Sequence, residues 1–374
     1  MSCLFQTQLL TSLALLGLGV CLGALGRLYG RKGRALLEVV QSPPGVPESG
    51  VRSRPRQLGS YILGDRLGAG AMGEVYRAWH TTLQRWCAVK LLPRGASAHE
   101  RSRFEKEVQL TARLSHPNTV RVYDSGRALD GTAYYAMELI DGISLQELVD
   151  RHGAQRPARV IHILVQLCAA LREAHGAGLI HRDIKPDNVL LCETAGMADV
   201  AKILDFGLVK ELAADPGESQ SLNLVVGTPL YLSPEAITAP ESVSAESDLY
   251  GLGAVAYFLL TGSPVFSGRS VVEVCSHHLH SAPTRPSLAL GRALPEDLER
   301  IVLDCLAKDP GQRPSSAAEL AKRLERCALA GTWKLADAER WWQNLTISAV
   351  IHTDRFERRF DALAQLVEER RACA

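Results

Sequence analysis

The most constraining stretch of this chain is a run of glycines, Gly68-Ala-Gly70-Ala-Met-Gly73, entered through Tyr61-Ile-Leu-Gly-Asp-Arg-Leu67 and left through Glu-Val75-Tyr-Arg-Ala-Trp. Glycines at this spacing arise by chance and in dinucleotide-binding folds, where they open an apolar helix. Here the residues that follow alternate in the manner of a strand, so the pattern predicts a hairpin. A second strand-like run, Cys87-Ala88-Val-Lys90, ends in a lysine seventeen residues past Gly73. Backbone amides of a glycine loop can approach a polyphosphate because no side chain intervenes, and a strand lysine adds a fixed positive charge beside it. The pattern therefore argues against a dinucleotide fold and for a clamp on nucleotide phosphates.

Three polar motifs follow in order: His181-Arg182-Asp183-Ile-Lys185-Pro-Asp-Asn188, Asp205-Phe-Gly207 and Ser233-Pro-Glu235. Each alone reads as solvated surface charge; their order after the glycine loop and Lys90 removes coincidence. The set resembles the bacterial eukaryotic-like (receptor-like) Ser/Thr protein kinase family over about residues 61–327, with Ser233 where alanine is more usual. That resemblance implies an α+β, bilobal protein kinase fold, with a small β-rich N-lobe over 61–139 and a larger helical C-lobe over 140–327. It also implies ATP as phosphoryl donor and Mg²⁺ as the metal, with Mn²⁺ as a substitute.

Within the resemblance, Leu67, Gly68, Gly70 and Gly73 belong to the phosphate-covering loop, and Lys90 contacts the α and β phosphates. The lysine's partner is expected on a helix read over Glu100 to Leu114, where Glu107 matches the pairing position and Glu105 is the alternative. Asn188 and Asp205 are the oxygen ligands for the metal. Asp183 takes or orients the proton of the attacking hydroxyl, and Lys185 stabilises the γ-phosphate charge. Val75, Ala88 and Leu190 sandwich the adenine, Met137 is the gatekeeper, and Glu138 and Ile140 offer hinge backbone groups; the same residues serve equally well as ordinary core. Asp248 is expected to hold the catalytic-loop backbone and Arg313 to pair with Glu235. Lys185 and Thr228 resemble Ser/Thr kinases, not Tyr kinases. Arg182 beside Asp183 implies control by phosphorylation of the segment 205–235, at Ser219 or Ser221. Protein substrates, the chain itself among them, are the implied partners. The alternative is a pseudokinase-type ATP-binding scaffold, although every catalytic position is filled. A small-molecule kinase is disfavoured by the long segment ending in Ser233-Pro-Glu235.

Composition matters here through the distribution of charge. The formal total is +1, yet residues 1–60 carry seven Lys/Arg against two Asp/Glu, and the rest carry 35 against 39. The near-neutral total argues against a nucleic-acid binder. Leu9 to Gly26 is apolar apart from Thr11 and Ser12, and extended to Tyr29 it nearly matches a bilayer core of roughly 30 Å. Arg27, Arg31, Lys32 and Arg34 follow, which predicts a transmembrane helix over 9–29 with a short segment, 1–8, outside and the kinase region cytoplasmic at the cell membrane. A cleaved signal peptide would carry its positive charge before the apolar run. Gly19 with Gly23, and Gly26 with Gly30, suit close helix packing in a homodimer, and equally the ordinary glycine content of membrane helices. Residues 30–60 read as a Pro/Gly/Arg-rich juxtamembrane linker, with Arg52, Arg54 and Arg56 on membrane lipid or simply solvated.

Nine single cysteines, none in a CxxC pair, read as reduced thiols. His277, His278 and His280 do not converge on one helix face and read as surface histidines, not as metal ligands. Residues 328–374 form a helical, Trp-rich extension. Trp333, Trp341 and Trp342, then Phe356, Phe360, Leu363 and Leu366, need something to pack against: the C-lobe, or a partner.

Overall fold

The glycine-flanked segments do become strands. The computed structural model describes residues 56–70, 73–93, 96–206 and 229–349. The apolar run over 9–29, the linker up to residue 55, Ser219, Ser221, Thr228 and residues 350–374 lie outside these. Among the described residues, no helix is long and apolar enough to cross a membrane. Strands β1 (Gln57–Leu58), β2 (Tyr61–Gly70), β3 (Gly73–His80) and β4 (Arg85–Leu91) precede helix α1 (Ala98–Thr111), and β5 (Val122–Arg127) and β6 (Ala133–Met137) follow it. They form one sheet in the order β1-β2-β3-β4-β6-β5, antiparallel throughout. Helix α1 stops short of the predicted Leu114, because the chain tightens there into three-residue turns, Arg113 N–H on the Leu110 carbonyl and Leu114 N–H on that of Thr111.

Register decides which side chains meet. Val75 lies opposite Lys90, Ala88 opposite Met137, and Lys90 opposite Tyr135. Directly opposed residues share a sheet face, and the face alternates along each strand. Val75, Ala88, Tyr135 and Met137 thus pack with Phe104 and Val108 of α1. The intervening Cys87, Val89, Leu91, Tyr134 and Ala136 pack on the other side with Leu58, Tyr61 and Leu63. A sheet buried on both faces explains why all five residues of β6 are buried.

The remainder is helical around one small sheet. Strand β7 (Gly142–Ser144), helices α2 (Leu145–His152) and α3 (Pro157–Gly176), and strands β8 (Val189–Thr194) and β9 (Met197–Ile203) come first. Helices α4 (Pro234–Thr238), α5 (Ala245–Thr261), α6 (Val271–His280), α7 (Pro286–Leu290), α8 (Glu296–Cys305), α9 (Ala317–Glu325) and α10 (Leu335–Ala349) follow. Every residue of α5 from Ser247 to Leu260 is buried, as suits a helix apolar on all sides. At Gly251 a Cβ would stand 3.0 Å from the Ile184 side chain and 3.1 Å from its carbonyl oxygen, so glycine lets this helix approach the 181–188 loop.

The tryptophans of the C-terminal extension pack on the C-lobe. Asp199 on β9 is fully buried and receives Nε and Nη2 of Arg159 at 2.8 and 2.6 Å. The indole N–H of Trp333 donates to its Oδ2 at 3.0 Å and that of Trp342 to its Oδ1 at 2.8 Å. The Arg159 guanidinium also lies 3.9 Å from the Trp341 ring centroid. Helix α10 is thus fastened to the hairpin that leads to Asp205. Phe356, Phe360, Leu363 and Leu366 lie outside the described residues.

Of the three histidines, His278 departs from the surface reading, whereas His280 is exposed. His278 is fully buried, with its Nδ1 2.8 Å from the Tyr250 hydroxyl. Its helix, amphipathic around Val274 and His278, turns that ring inward, while His277 stays half-exposed with Nδ1 2.9 Å from Ser281 Oγ.

Candidate active site

The loop 181–188 is built from the inside outward. Asp248, near the start of α5, accepts the backbone N–H groups of His181 and Arg182, both at 2.8 Å, and lies 2.8 Å from His175 Nε2. The Asp183 N–H donates to His181 Nδ1 at 3.2 Å, so that nitrogen is unprotonated and Nε2–H donates to the Leu204 carbonyl at 2.8 Å. Complete burial holds this imidazole below the usual histidine range, against the pull of Asp248, and keeps it neutral. His181 therefore ties the loop to the residue just before Asp205, a role the motif alone does not reveal.

Asp183 is held on several sides. Lys185 Nζ lies 2.8 Å from its Oδ2; Asn188 Nδ2 donates to the same oxygen at 2.9 Å and to the Asp183 carbonyl at 2.8 Å. With its amide hydrogens so used, Asn188 keeps its Oδ1 as an acceptor. The Leu204 N–H donates to the Asn188 carbonyl at 2.9 Å, which sets Asn188 beside the strand end that carries Asp205.

Lys90 reaches this group from the N-lobe sheet. Only 3% exposed, its Nζ lies 3.0 Å from Asp205 Oδ2, and the Tyr135 hydroxyl donates to Asp205 Oδ1 at 3.0 Å. Burial pushes the Asp205 carboxyl up, but Lys90 and then Tyr135 outweigh it and leave the group below the ordinary carboxylate range. Arg182 and Asp205 both have positive φ, 67° and 40°, a strained setting for residues with a Cβ. The backbone of Glu107 lies in α1, but its side chain is outside the described residues. The alternative, Glu105, is committed elsewhere: it pairs with Arg127 at 2.6 Å on the exposed side.

The remaining expected residues fall at defined places. Val75, Ala88, Met137 and Ile140 belong to one apolar cluster. Leu190, half-buried on β8 opposite Ser144, comes from the other lobe. Glu138 donates its N–H to the Arg121 carbonyl at 2.8 Å and binds Lys202 with its carboxylate, both at 2.8 Å. Only its carbonyl is therefore left to a ligand. Leu67 is 53% exposed on β2, where Gly68 and Gly70 continue the strand. Gly73 has φ +122° and its missing Cβ would fall 1.9 Å from the Leu91 carbonyl, whereas the space at Gly68 is open. Arg313 pairs with both oxygens of Glu235 at 2.7 and 2.8 Å, and Ser247 Oγ donates to Glu235 at 2.6 Å. Burial raises the Glu235 carboxyl, but Arg313 and Ser247 prevail and bring it to about 2.

These residues fit a nucleoside triphosphate with a divalent ion. The buried Lys90 pairs with the Asp205 carboxylate, Asn188 keeps an amide oxygen beside the strand end that carries Asp205, which makes a hard donor set, and the space at Gly68 is open. Sequence reasoning missed Tyr135, Arg159 and Asp199. Only the strand register reveals the first, and the other two meet through sequence separations no motif spans.

Comparison with known proteins agrees with this geometry. Residues 61–324 match the protein kinase domain family. The chain is 40% identical over 272 residues to the serine/threonine-protein kinase PknB of Mycobacterium tuberculosis, covering 71% of this chain and 42% of that protein. Identity to the serine/threonine-protein kinase pkn3 of Myxococcus xanthus is 36% over 264 residues, 69% of this chain and 48% of the relative. The chain spans less than half the length of these curated relatives. Among solved structures, the PknI kinase domain of Mycobacterium tuberculosis aligns with a TM-score of 0.54 at 29% identity, over 72% of this chain and 97% of that one. Rad53 1–466 in complex with AMP-PNP aligns with a TM-score of 0.59 at 26% identity, over 71% and 64%. A β-rich lobe and a helical lobe meeting at Lys90, Asp183, Asn188 and Asp205, matched over most of the chain, place it in the protein kinase family, among the bacterial eukaryotic-like serine/threonine kinases.

Proposed function

We propose that the chain is a serine/threonine protein kinase that transfers the γ-phosphoryl group of ATP, bound with Mg²⁺, to Ser or Thr hydroxyls of proteins, itself included. The observation that carries this reading is the joint anchoring of Asp183 by Lys185 and Asn188 and of Asp205 by Lys90, with Asn188 and Leu204 hydrogen-bonded between them. In the transfer, the acceptor oxygen bonds to the γ phosphorus, the bond to the β,γ-bridging oxygen breaks, and ADP leaves. The metal ion supplies charge neutralisation on the phosphates. Asp183 orients the acceptor hydroxyl and its proton, and Lys185 stays beside it to meet charge on the moving group. Lys90 holds the α and β phosphates, with Glu107 its helix partner. Asn188 and Asp205 supply the metal's protein oxygens. Leu67, Gly68, Gly70 and Gly73 cover the phosphates. Val75, Ala88, Met137 and Leu190 enclose the adenine, with the Glu138 carbonyl and the Ile140 backbone at its edge.

Phosphorylation of Ser219 or Ser221 would bring a dianion to Arg182, and Thr228 would lie near Asp183 and Lys185 during transfer. The apolar run over 9–29 and its basic flank support a single-pass anchor with the kinase domain in the cytoplasm, lipid contact by the linker, and pairing of two chains through Gly19 and Gly23. Incubation of the purified chain with Mg-ATP, read by intact mass and phosphosite mapping, tests the activity. Phosphate on Ser or Thr in the parent and none in Asp183→Asn is expected; equal phosphorylation in both overturns the reading.

A further inference from the structure

We infer that Tyr135 is a positioning residue for the metal-binding carboxylate: its phenol fixes the orientation of Asp205 from behind. None of the sequence motifs includes this residue, and the inference rests on the reading that Asp205 is a metal ligand. The register places Tyr135 directly opposite Lys90, so both side chains leave the sheet on the same face. The tyrosine is 4% exposed, and its ring is backed by Phe104 of α1 at 5.3 Å between centroids. From that fixed ring the hydroxyl donates to Asp205 Oδ1 at 3.0 Å, while Lys90 Nζ meets Oδ2 at 3.0 Å. The two donors come from neighbouring strands and grip the two oxygens separately, which leaves the carboxylate no rotation about its Cβ–Cγ bond without losing one of them.

Such a grip is needed at this residue in particular. Asp205 sits at φ +40°, a sparsely populated conformation for a residue with a Cβ, which persists only where surrounding contacts hold it. A carboxylate has about four lone-pair sites, so it can accept from a phenol and an ammonium and still offer electrons to a cation. Hydrogen bonds that orient a ligating carboxylate set metal affinity, and losing one typically costs about 10-fold or more. Tyr135 thus acts on the metal through the Asp205 carboxylate that its hydroxyl holds.

The test is Tyr135→Phe in the full chain, which keeps the ring against Phe104 and removes only the hydroxyl. Capture of a fluorescent, non-hydrolysable ATP analogue is titrated against free Mg²⁺, with a parallel titration of the analogue in chelator. The half-saturating Mg²⁺ concentration is expected to rise about 10-fold, while metal-free nucleotide affinity changes less than about twofold. Unchanged Mg²⁺ dependence overturns the inference. So does equal weakening with and without metal, which would mark a merely structural role. If the parent itself shows no metal-dependent nucleotide binding, both the site reading and the inference fall.

Discussion

Asp199→Asn is the sharpest probe of how the C-terminal extension is built into the kinase core. The carboxylate holds Arg159 at 2.6 and 2.8 Å and accepts both indole N–H groups; Asp199, Arg159 and Trp342 are buried, and Trp333 is half-buried. Its φ of +57° matters for the design of the experiment. Asparagine tolerates that backbone as well as aspartate does, so the change removes charge without adding strain. Removing one member of a buried ion pair costs about 3–5 kcal/mol, because the partner's charge stays buried without compensation. Asparagine keeps one oxygen for an indole or the guanidinium, so the low end, about 3 kcal/mol, applies. For a domain of this size that corresponds to a fall of roughly 6–12 °C in Tm. Thermal unfolding followed by circular dichroism reads it directly. Replacing both charges, Arg159→Met with Asp199→Asn, should recover part of the loss, since a pair removed together leaves no lone charge. A Tm for Asp199→Asn within about 2 °C of the parent, or a double variant worse than the sum of the singles, would refute the reasoning.

Further expectations concern pH and the glycine strand. The Glu235 carboxyl lies near 2 in the fold against an ordinary 4.5, so its contribution is present above 4.5 and fades as pH falls towards 2. Glu235→Gln should cost roughly 3 kcal/mol at neutral pH in urea unfolding, with the gap to the parent closing across that window. His278 is held neutral mainly by burial and then by Lys308, with a pKa brought from 6.5 to about 4. The unfolded chain binds the proton first, so stability should drop between pH 6.5 and 4, and His278→Gln should flatten that slope in the same unfolding series. At the two glycines the outcomes should differ. Gly73→Ala meets the Leu91 carbonyl at a positive φ and should destabilise the fold by roughly 1–3 kcal/mol, whereas Gly68→Ala has open space and should leave Tm unchanged while weakening nucleotide capture.

What could be read from the sequence was whatever is written locally. The strand alternation after Gly73 and the order of Lys90, His181–Asn188 and Asp205 carry the family resemblance, and that resemblance implies the bilobal fold; among its site residues the structure sets Lys90 on Asp205 and Lys185 and Asn188 on Asp183. Long-range partners were another matter. Tyr135 looks like one more apolar strand residue until the β4–β6 register sets it opposite Lys90. Asp199 and Arg159 look like surface charges, because nothing in a charged residue's neighbours announces that tryptophans 134 and 143 positions away will close over it. His278 misled for the same reason: its burial depends on Tyr250 of α5, which sequence spacing cannot bring near. The tryptophans' need for a packing surface is legible in the sequence, and for Trp333, Trp341 and Trp342 the C-lobe is that surface.

On the proposed function, this site transfers phosphate and does not merely hold nucleotide. The most direct measurement compares the parent with Asp183→Asn for ATP-induced thermal stabilisation and for transfer of labelled γ-phosphate to a Ser/Thr-containing protein substrate, in Mg²⁺. Both proteins should be stabilised by Mg-ATP, and only the parent should label Ser or Thr. Stabilisation without labelling in the parent, or equal labelling by both, would contradict it.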